Sequence, residues 1–103
     1  MSTLAVAGSP KEQASTERIA WSFDWTDRLD AQTISSATAI ATQLDTGADV
    51  SGTVISGSVV VSSPTTTVTV QNLTARKRYR ISVTAVFSGG SHQTAELELM
   101  VPF

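Results

Sequence analysis

The sequence predicts an all-β fold, an antiparallel β-sandwich of about seven strands. Valine, alanine, leucine and isoleucine provide most of the 41% hydrophobic residues, and threonine and serine crowd the rest. β-Branched side chains suit a pleated surface and are stiff in a helix. Several segments alternate apolar and polar residues, short turn-type sequences connect them, and no segment has helical periodicity. We expect one domain over residues 1–103, with residues 1–17 as a candidate extended N-terminal arm.

Size and composition limit the possible functions. A chain of 103 residues can enclose one core. Its net charge of −2 and its 16% charged residues predict no attraction to nucleic acid or to an anionic membrane. The absence of cysteine excludes disulfides and thiolate metal sites. The first apolar run, residues 4–7, is too short for a secretory signal, and no segment is long enough to span a membrane. We expect a protein made in a cytosol.

The N-terminal third contains one clear strand. Residues 3–7 (TLAVA) are a marginal first strand and, if unpaired in the monomer, a candidate for exchange between subunits. The polar residues 8–17 connect it to residues 19–25, which alternate with a period of two. The apolar face of that strand consists of Ile19, Trp21, Phe23 and Trp25. Asp27 and Asp30 then indicate a turn.

The middle of the chain predicts three further strands. Residues 33–41 mix threonine, isoleucine and alanine; alanine favours a helix, but the density of threonine and serine favours a strand. After a loop, Gly52 and Gly57 interrupt a β-rich segment and indicate turns or bulges, and Pro64 ends it. Residues 65–71 alternate again. Their threonine content would also suit a disordered linker, but the nearby valines favour a packed strand.

The C-terminal third predicts a hairpin. Residues 77–87 give the longest alternation, and Gly89 and Gly90 predict a two-residue β-turn. The return strand, residues 94–101, turns two glutamates to the same face as two arginines, a charge match contributing ~0.2–1 kcal/mol per pair. These are Glu96 and Glu98, expected across from Arg78 and Arg80.

Leu73 and Tyr79 flank a five-residue turn, and Tyr79 opens the longest strand. This spacing resembles the corner between the E and F strands of immunoglobulin-like and fibronectin type III domains. The resemblance implies that the tyrosine hydroxyl bonds to nearby backbone, and that Trp21 or Trp25 is a core tryptophan. The expected core comprises Trp21, Phe23, Trp25, Leu73, Tyr79, Ile81, Val83, Leu97 and Leu99.

A narrower resemblance rests on the order of three segments. These are WSFDWTDRLDAQTISSAT (residues 21–38), a glycine-containing Val/Thr stretch, and RYRISVTAVFSGGSHQTAELELMV (residues 78–101). Their order resembles the small Ig-like proteins of tailed bacteriophages called fibre-tail adaptors, in which a motif like FDW precedes an acidic turn, and a Tyr-led hairpin closes the chain. The resemblance implies a virion subunit, either an adaptor or a capsid decoration protein. It also implies several copies per particle, as a homo-oligomer, bound to capsid, neck, tail or fibre proteins.

Four cations within five positions are the best candidate for a partner surface. They are Arg76, Lys77, Arg78 and Arg80. Charges on a turn and an outward strand face often serve only solubility; the sharper hypothesis is that these four face an acidic surface of a partner subunit. Nucleic-acid binding is less favoured, because no exposed aromatic residue is expected beside them.

The sequence predicts no catalytic, metal or cofactor site. His92 lacks the orienting carboxylate of a general base and the further ligands of a metal site, so it is expected to be a solvated turn residue. Asp24, Asp27 and Asp30 have a calcium-like spacing without the later glutamate, which favours turn and cap roles. We therefore expect a non-enzymatic structural protein. The alternative is an adhesion or carbohydrate-binding module of a bacterial surface protein, which clustered exposed aromatic residues would favour.

Overall fold

The chain forms two facing β-sheets in a computed structural model. The structure describes residues 3–5, 11–29 and 31–102, and the statements below concern these residues. The strands are β1 (Thr3–Ala5), β2 (Lys11–Glu12), β3 (Ile19–Asp24), β4 (Ile34–Gln43), β5 (Ala48–Asp49), β6 (Ile55–Ser62), β7 (Thr65–Val70), β8 (Arg78–Phe87) and β9 (His92–Met100). Two single-turn helices are α1 (Thr26–Leu29) and α2 (Ser51–Val54).

The strands divide into a larger and a smaller sheet. The larger has the order β1-β9-β8-β4-β5, with β2 also on β9, and the smaller has the order β3-β7-β6. β1 and β2 run parallel to β9, and the other pairs are antiparallel. The prediction of a wholly antiparallel fold was therefore wrong at the N-terminal end, where the chain runs alongside β9 before β3 joins the other sheet. β1 is paired within the chain, so the condition for its exchange between subunits is not met.

The expectation of a chain without helices was also wrong. Both helical turns follow an aspartate that accepts hydrogen bonds from the residue two positions later. Asp24 Oδ1 accepts from the backbone N–H (2.9 Å) and hydroxyl of Thr26. Asp49 Oδ1 accepts in the same way from the N–H (2.9 Å) and hydroxyl (2.6 Å) of Ser51. These bonds satisfy an otherwise free N–H at the start of each turn.

The β8–β9 hairpin has a three-residue loop. Phe87 N–H donates to the carbonyl of Ser91 at 2.8 Å, which leaves residues 88–90 as the loop, and Gly90 has φ of 94°. The expected two-residue turn was therefore wrong. In a three-residue loop only the last residue needs a left-handed backbone, and Gly90 occupies that position. The register pairs Tyr79 with Leu99 and stacks the inward faces of both strands.

The smaller sheet contains the bulge that its glycine predicts. The pairing of β6 with β7 shifts register between Ser56 and Val60, and Gly57 within that interval has φ of 72°. Over this interval β6 has two residues more than β7, and extra residues at such a point bend a strand. β6 ends immediately before Ser63 and Pro64, as the proline predicts. Gly52 lies in the short helix α2 and not in a β-turn or bulge.

The core lies between the two sheets. Of the side chains expected there, Phe23, Trp25, Leu73, Tyr79, Ile81, Val83, Leu97 and Leu99 are buried. Trp21 is half-buried and packs against this core rather than within it. Its indole N–H donates to Oε1 of the buried Gln13 at 2.8 Å.

Trp25 connects the two sheets. Its indole N–H donates to the hydroxyl of Thr66 on β7 at 2.9 Å, and both residues are fully buried. Its ring meets Phe87 of β8 edge-on, with ring centroids 6.0 Å apart and planes at 84°. A buried tryptophan needs a partner for its single polar group, and the alternation of β7 supplies Thr66 for that purpose.

Gln13 is a buried polar side chain that the sequence does not reveal. Its Nε2 donates to the carbonyls of Val70 (2.8 Å) and Glu17 (3.1 Å), and its Oε1 accepts from Trp21. Its backbone N–H donates to Met100. The side-chain amide thus joins the N-terminal segment to β3 and β7, and the backbone N–H of the same residue joins it to β9. The polar groups of the buried amide are satisfied, as burial requires.

Candidate partner-binding surface

The turn before β8 is held by a tyrosine. Leu73 is buried, and the Tyr79 hydroxyl accepts a hydrogen bond from the backbone N–H of Thr74 at 2.9 Å. The ring of Tyr79 is buried between the sheets. The turn is therefore anchored on its own strand, as the immunoglobulin-like resemblance implies for this corner.

The same turn is bound to the end of β9. Arg76 N–H donates to the carbonyl of Val101 at 2.7 Å, and Val101 N–H donates to the carbonyl of Lys77 at 3.1 Å. Arg76 adopts φ of 64°, a left-handed conformation that costs energy for a residue with a Cβ. These bonds fix the direction in which the backbone presents the side chains of Arg76 and Lys77.

Arg78 and Arg80 have acidic neighbours within the chain. Arg78 Nη1 lies 3.8 Å from Glu98 Oε1, and Arg80 Nε lies 3.7 Å from Glu96 Oε2. The expected charge match between the two strands is therefore present. It runs diagonally, because the register places Arg78 opposite Met100, and Arg80 opposite Glu98. Long, solvent-exposed pairs of this kind stabilise little, ~0.2–1 kcal/mol each, but they offset the positive charge of both arginines.

Arg76 and Lys77 have no such neighbour. Neither forms an ion pair with any residue that the structure describes; Arg76 is exposed and Lys77 is half-buried. They border an open depression of roughly 330 Å³. Its lining consists of Asp45, Arg76, Lys77, Arg78, Met100, Val101 and Pro102. Asp45 is the one carboxylate of this lining, and its Oδ2 accepts from the backbone N–H of Arg78 at 3.4 Å. The four predicted cations therefore differ: Arg78 and Arg80 are paired inside the chain, and Arg76 and Lys77 form no ion pair with a described residue.

The other sequence candidates occupy ordinary structural positions. His92 is exposed at the start of β9, opposite Val86. The bonds from the side chain and backbone of Thr26 hold the pKa of Asp24 below its ordinary value, and those from Ser51 do the same for Asp49. Asp30 and the side chain of Asp27 lie outside the described part. Within that part, no three histidine or acidic residues stand close enough to hold a metal ion.

Comparison with known proteins agrees with the resemblance to the fibre-tail adaptors of tailed bacteriophages. Among the described residues, no helix is long and apolar enough to cross a membrane. No curated protein matches the chain. A family model described as "Podophage GP4 fiber-tail adaptor protein gp77" matches residues 13–101. The chain therefore belongs to the podophage fibre-tail adaptor family and is a structural adaptor protein of the virion, where it binds other phage tail proteins.

Proposed function

We propose that this adaptor acts by docking alone, as a non-enzymatic immunoglobulin-like subunit that holds an acidic surface of another tail protein on its basic turn. One observation carries the proposal: Arg76 and Lys77 project from a turn whose backbone is fixed by three hydrogen bonds, and no acidic side chain in the described residues forms an ion pair with them. A protein of net charge −2 that keeps two such cations together has a local field for acidic partners.

The rigidity of the turn favours binding. Ordering a loop on association costs free energy, and a turn already bonded to Tyr79 and Val101 avoids most of that cost. Arg78 and Arg80 widen the proposed surface. Because their ion pairs with Glu98 and Glu96 are long and exposed, a partner carboxylate can replace either glutamate at little expense.

Charge reversal tests this proposal. We expect Arg76→Glu combined with Lys77→Glu to abolish binding of the purified chain to tails that lack it, while the thermal midpoint stays close to that of the wild type. Arg18→Glu is the matched control, since Arg18 is also exposed and, among the described residues, its guanidinium bonds only to a serine hydroxyl, Ser56 Oγ at 3.0 Å. Reversal of Arg78 is less informative, because the new carboxylate would face Glu98 and lower stability.

The outcomes separate the main alternatives. Unchanged binding of the double variant would overturn the basic surface, and binding to empty heads in place of tails would indicate capsid decoration. The carbohydrate-binding alternative has no support, since no aromatic side chain is exposed among the residues whose burial is described. Stacking on sugars needs such rings at the surface.

A further inference from the structure

The β4 strand has an open edge along most of its length. On one side it pairs with β8 from Ile34 to Gln43. On the other side β5 covers only Thr42 and Gln43. Residues 34–41 therefore lack a strand partner on that side within the described structure.

Ala37 and Ala39 direct their backbone N–H and carbonyl groups out of this edge, as the bonds of the nearby Ala41 show. Ala41 N–H donates to Ser51 Oγ at 2.9 Å, and its carbonyl accepts from Val50 N–H at 2.9 Å, so the polar groups of Ala41 point away from β8. Backbone groups alternate in direction along an antiparallel strand. Those of Ala39 and Ala37 therefore point the same way, and nothing in the described residues bonds to them.

Along residues 37–40 the edge carries none of the usual protection against strand pairing. Natural edge strands use charges, prolines or bulges to prevent it. Residues 31–44 contain no charged residue and no proline, and the register shift of β4 lies at its beginning, between Ile34 and Ser36. By contrast, the neighbouring edge strand β6 is bent by its bulge at Gly57.

An apolar groove accompanies the edge. It lies between β4 and β6, has a volume of roughly 250 Å³, and is lined largely by small or apolar side chains. They include Ala37, Ala39, Ile55 and Val59. On the outer faces of the two strands, Ile40 is 52% and Val60 is 62% exposed. This side of the sandwich is thus incompletely closed.

We propose that a second copy of this chain pairs with this edge, β4 against β4 and antiparallel, around a two-fold axis at Thr38. Ala37 then faces Ala39 of the second copy and Ala39 faces its Ala37, so each pair exchanges two hydrogen bonds. The free groups are symmetric about Thr38, which makes the edge complementary to itself, as a two-fold contact requires.

Two further features favour a second copy over a strand of another protein. The unpaired part of the β4 edge lies between the register shift near Ser36 and Ala41, whose N–H is already bonded to Ser51. Its length matches what a symmetric pair of β4 strands centred on Thr38 needs. The axis is perpendicular to the sheet, so both grooves lie on the same face and meet. Because residues 31–44 and 50–75 are free of charge, two chains of net −2 approach there without like charges at the contact.

Light scattering over a concentration series tests this inference. We expect a mass twice the 10.8 kDa of the chain. Thr38→Lys, at an exposed position, places two cations opposite each other on the axis and should give a monomer. Ala39→Pro removes an outward N–H and should do the same. Ala20→Lys is the matched control, at an exposed position on β3, an edge strand of the other sheet, and should remain a dimer.

Each outcome is decisive. A wild-type chain that stays monomeric up to ~1 mM overturns the proposal, as does a dimer that survives Thr38→Lys. Loss of the dimer in Ala20→Lys as well would point to another edge and would also overturn it. If Ala39→Pro fails to fold, Thr38→Lys still decides. Reversal of Arg76 and Lys77 should leave the dimer intact, so this proposal and the basic surface succeed or fail separately.

Discussion

The Tyr79 hydroxyl accepts a hydrogen bond from the backbone N–H of Thr74 at 2.9 Å, so one side chain both fills the core and holds the basic turn. Tyr79→Phe keeps the ring and removes only the acceptor. We expect it to lower the free energy of unfolding by ~1 kcal/mol, and Tyr79→Ala to lower it by about 3–5 kcal/mol. Urea unfolding measures both. Equal losses for the two variants would show that the ring contributes nothing beyond the bond.

The bond between Trp25 and Thr66 gives a second prediction. Thr66→Val keeps the shape of the side chain but leaves the indole N–H buried without an acceptor, and we expect a loss of ~1–3 kcal/mol in the free energy of unfolding. Thr69→Val, half-buried on the same strand, should change it by less than ~0.5 kcal/mol. A harmless Thr66→Val would mean that the indole finds water or another acceptor.

The buried side-chain amide of Gln13 gives a third prediction. Gln13→Ala leaves the carbonyl of Val70 and the indole N–H of Trp21 without their partner, so we expect a loss of ~1–3 kcal/mol and a red shift of tryptophan emission. The control is Gln43→Ala, at a half-buried glutamine of β4, expected within ~0.5 kcal/mol. Equal effects would place the N-terminal segment away from the core.

The left-handed backbone at Arg76 gives a fourth prediction. Glycine adopts this conformation without strain, so we expect Arg76→Gly to leave the free energy of unfolding unchanged or raise it by up to ~1 kcal/mol. Arg76→Ala keeps the Cβ and should change it by less than ~0.5 kcal/mol. Thermal unfolding compares the two. A clear loss with glycine would show that the arginine side chain itself stabilises the turn.

The two capping aspartates give a pH dependence. The hydrogen bonds from Thr26 and Ser51 lower the pKa of Asp24 and Asp49 from the ordinary 3.8. A carboxylate with a lowered folded-state pKa stabilises the fold above its ordinary pKa, and this contribution is lost as pH falls through the folded-state pKa. We expect Asp24→Asn combined with Asp49→Asn to flatten the decline of the thermal midpoint below pH ~4. An unchanged decline would assign it to other carboxylates.

The alternation of apolar residues predicted most of the strands. It identified β3, β7, β8 and β9, with the buried faces that contain Phe23 and Tyr79. It could not identify β2 or β5, because strands of two residues have no period, nor the parallel pairing of β1 with β9, since a strand's sequence carries no direction. Gln13 was missed for a similar reason: a polar residue within a polar run gives no signal of burial.

The loop of the last hairpin was predictable from residue numbers. The inward residues of both strands are odd-numbered, and odd-numbered residues face each other only across a loop with an odd number of residues. A two-residue turn would have moved the apolar side chains of one strand to the outer face of the sheet. The glycine pair suggested that turn, but the burial pattern of Tyr79 and Leu99 already required three residues.

The candidate surface was predicted only in outline. The cluster of four cations is visible in the sequence, and the hairpin alternation brings Glu96 and Glu98 to the same face as Arg78 and Arg80. Which cations stay unpaired depends on register and on the backbone bonds of Val101, both of which are tertiary. The open edge of β4 was beyond prediction for the same reason, since strand order decides which edges are covered.

The pairing of β1 and β2 with β9 limits how far this protein can polymerise. Those two short segments occupy the far border of the larger sheet along residues 94–96 and 99–100. A continuous fibril needs a sheet that can accept a neighbour at both borders. β1 and β2 are the edge strands at this border, and with three and two residues they offer a neighbouring chain few backbone groups, so the border is a poor site for the addition of further strands.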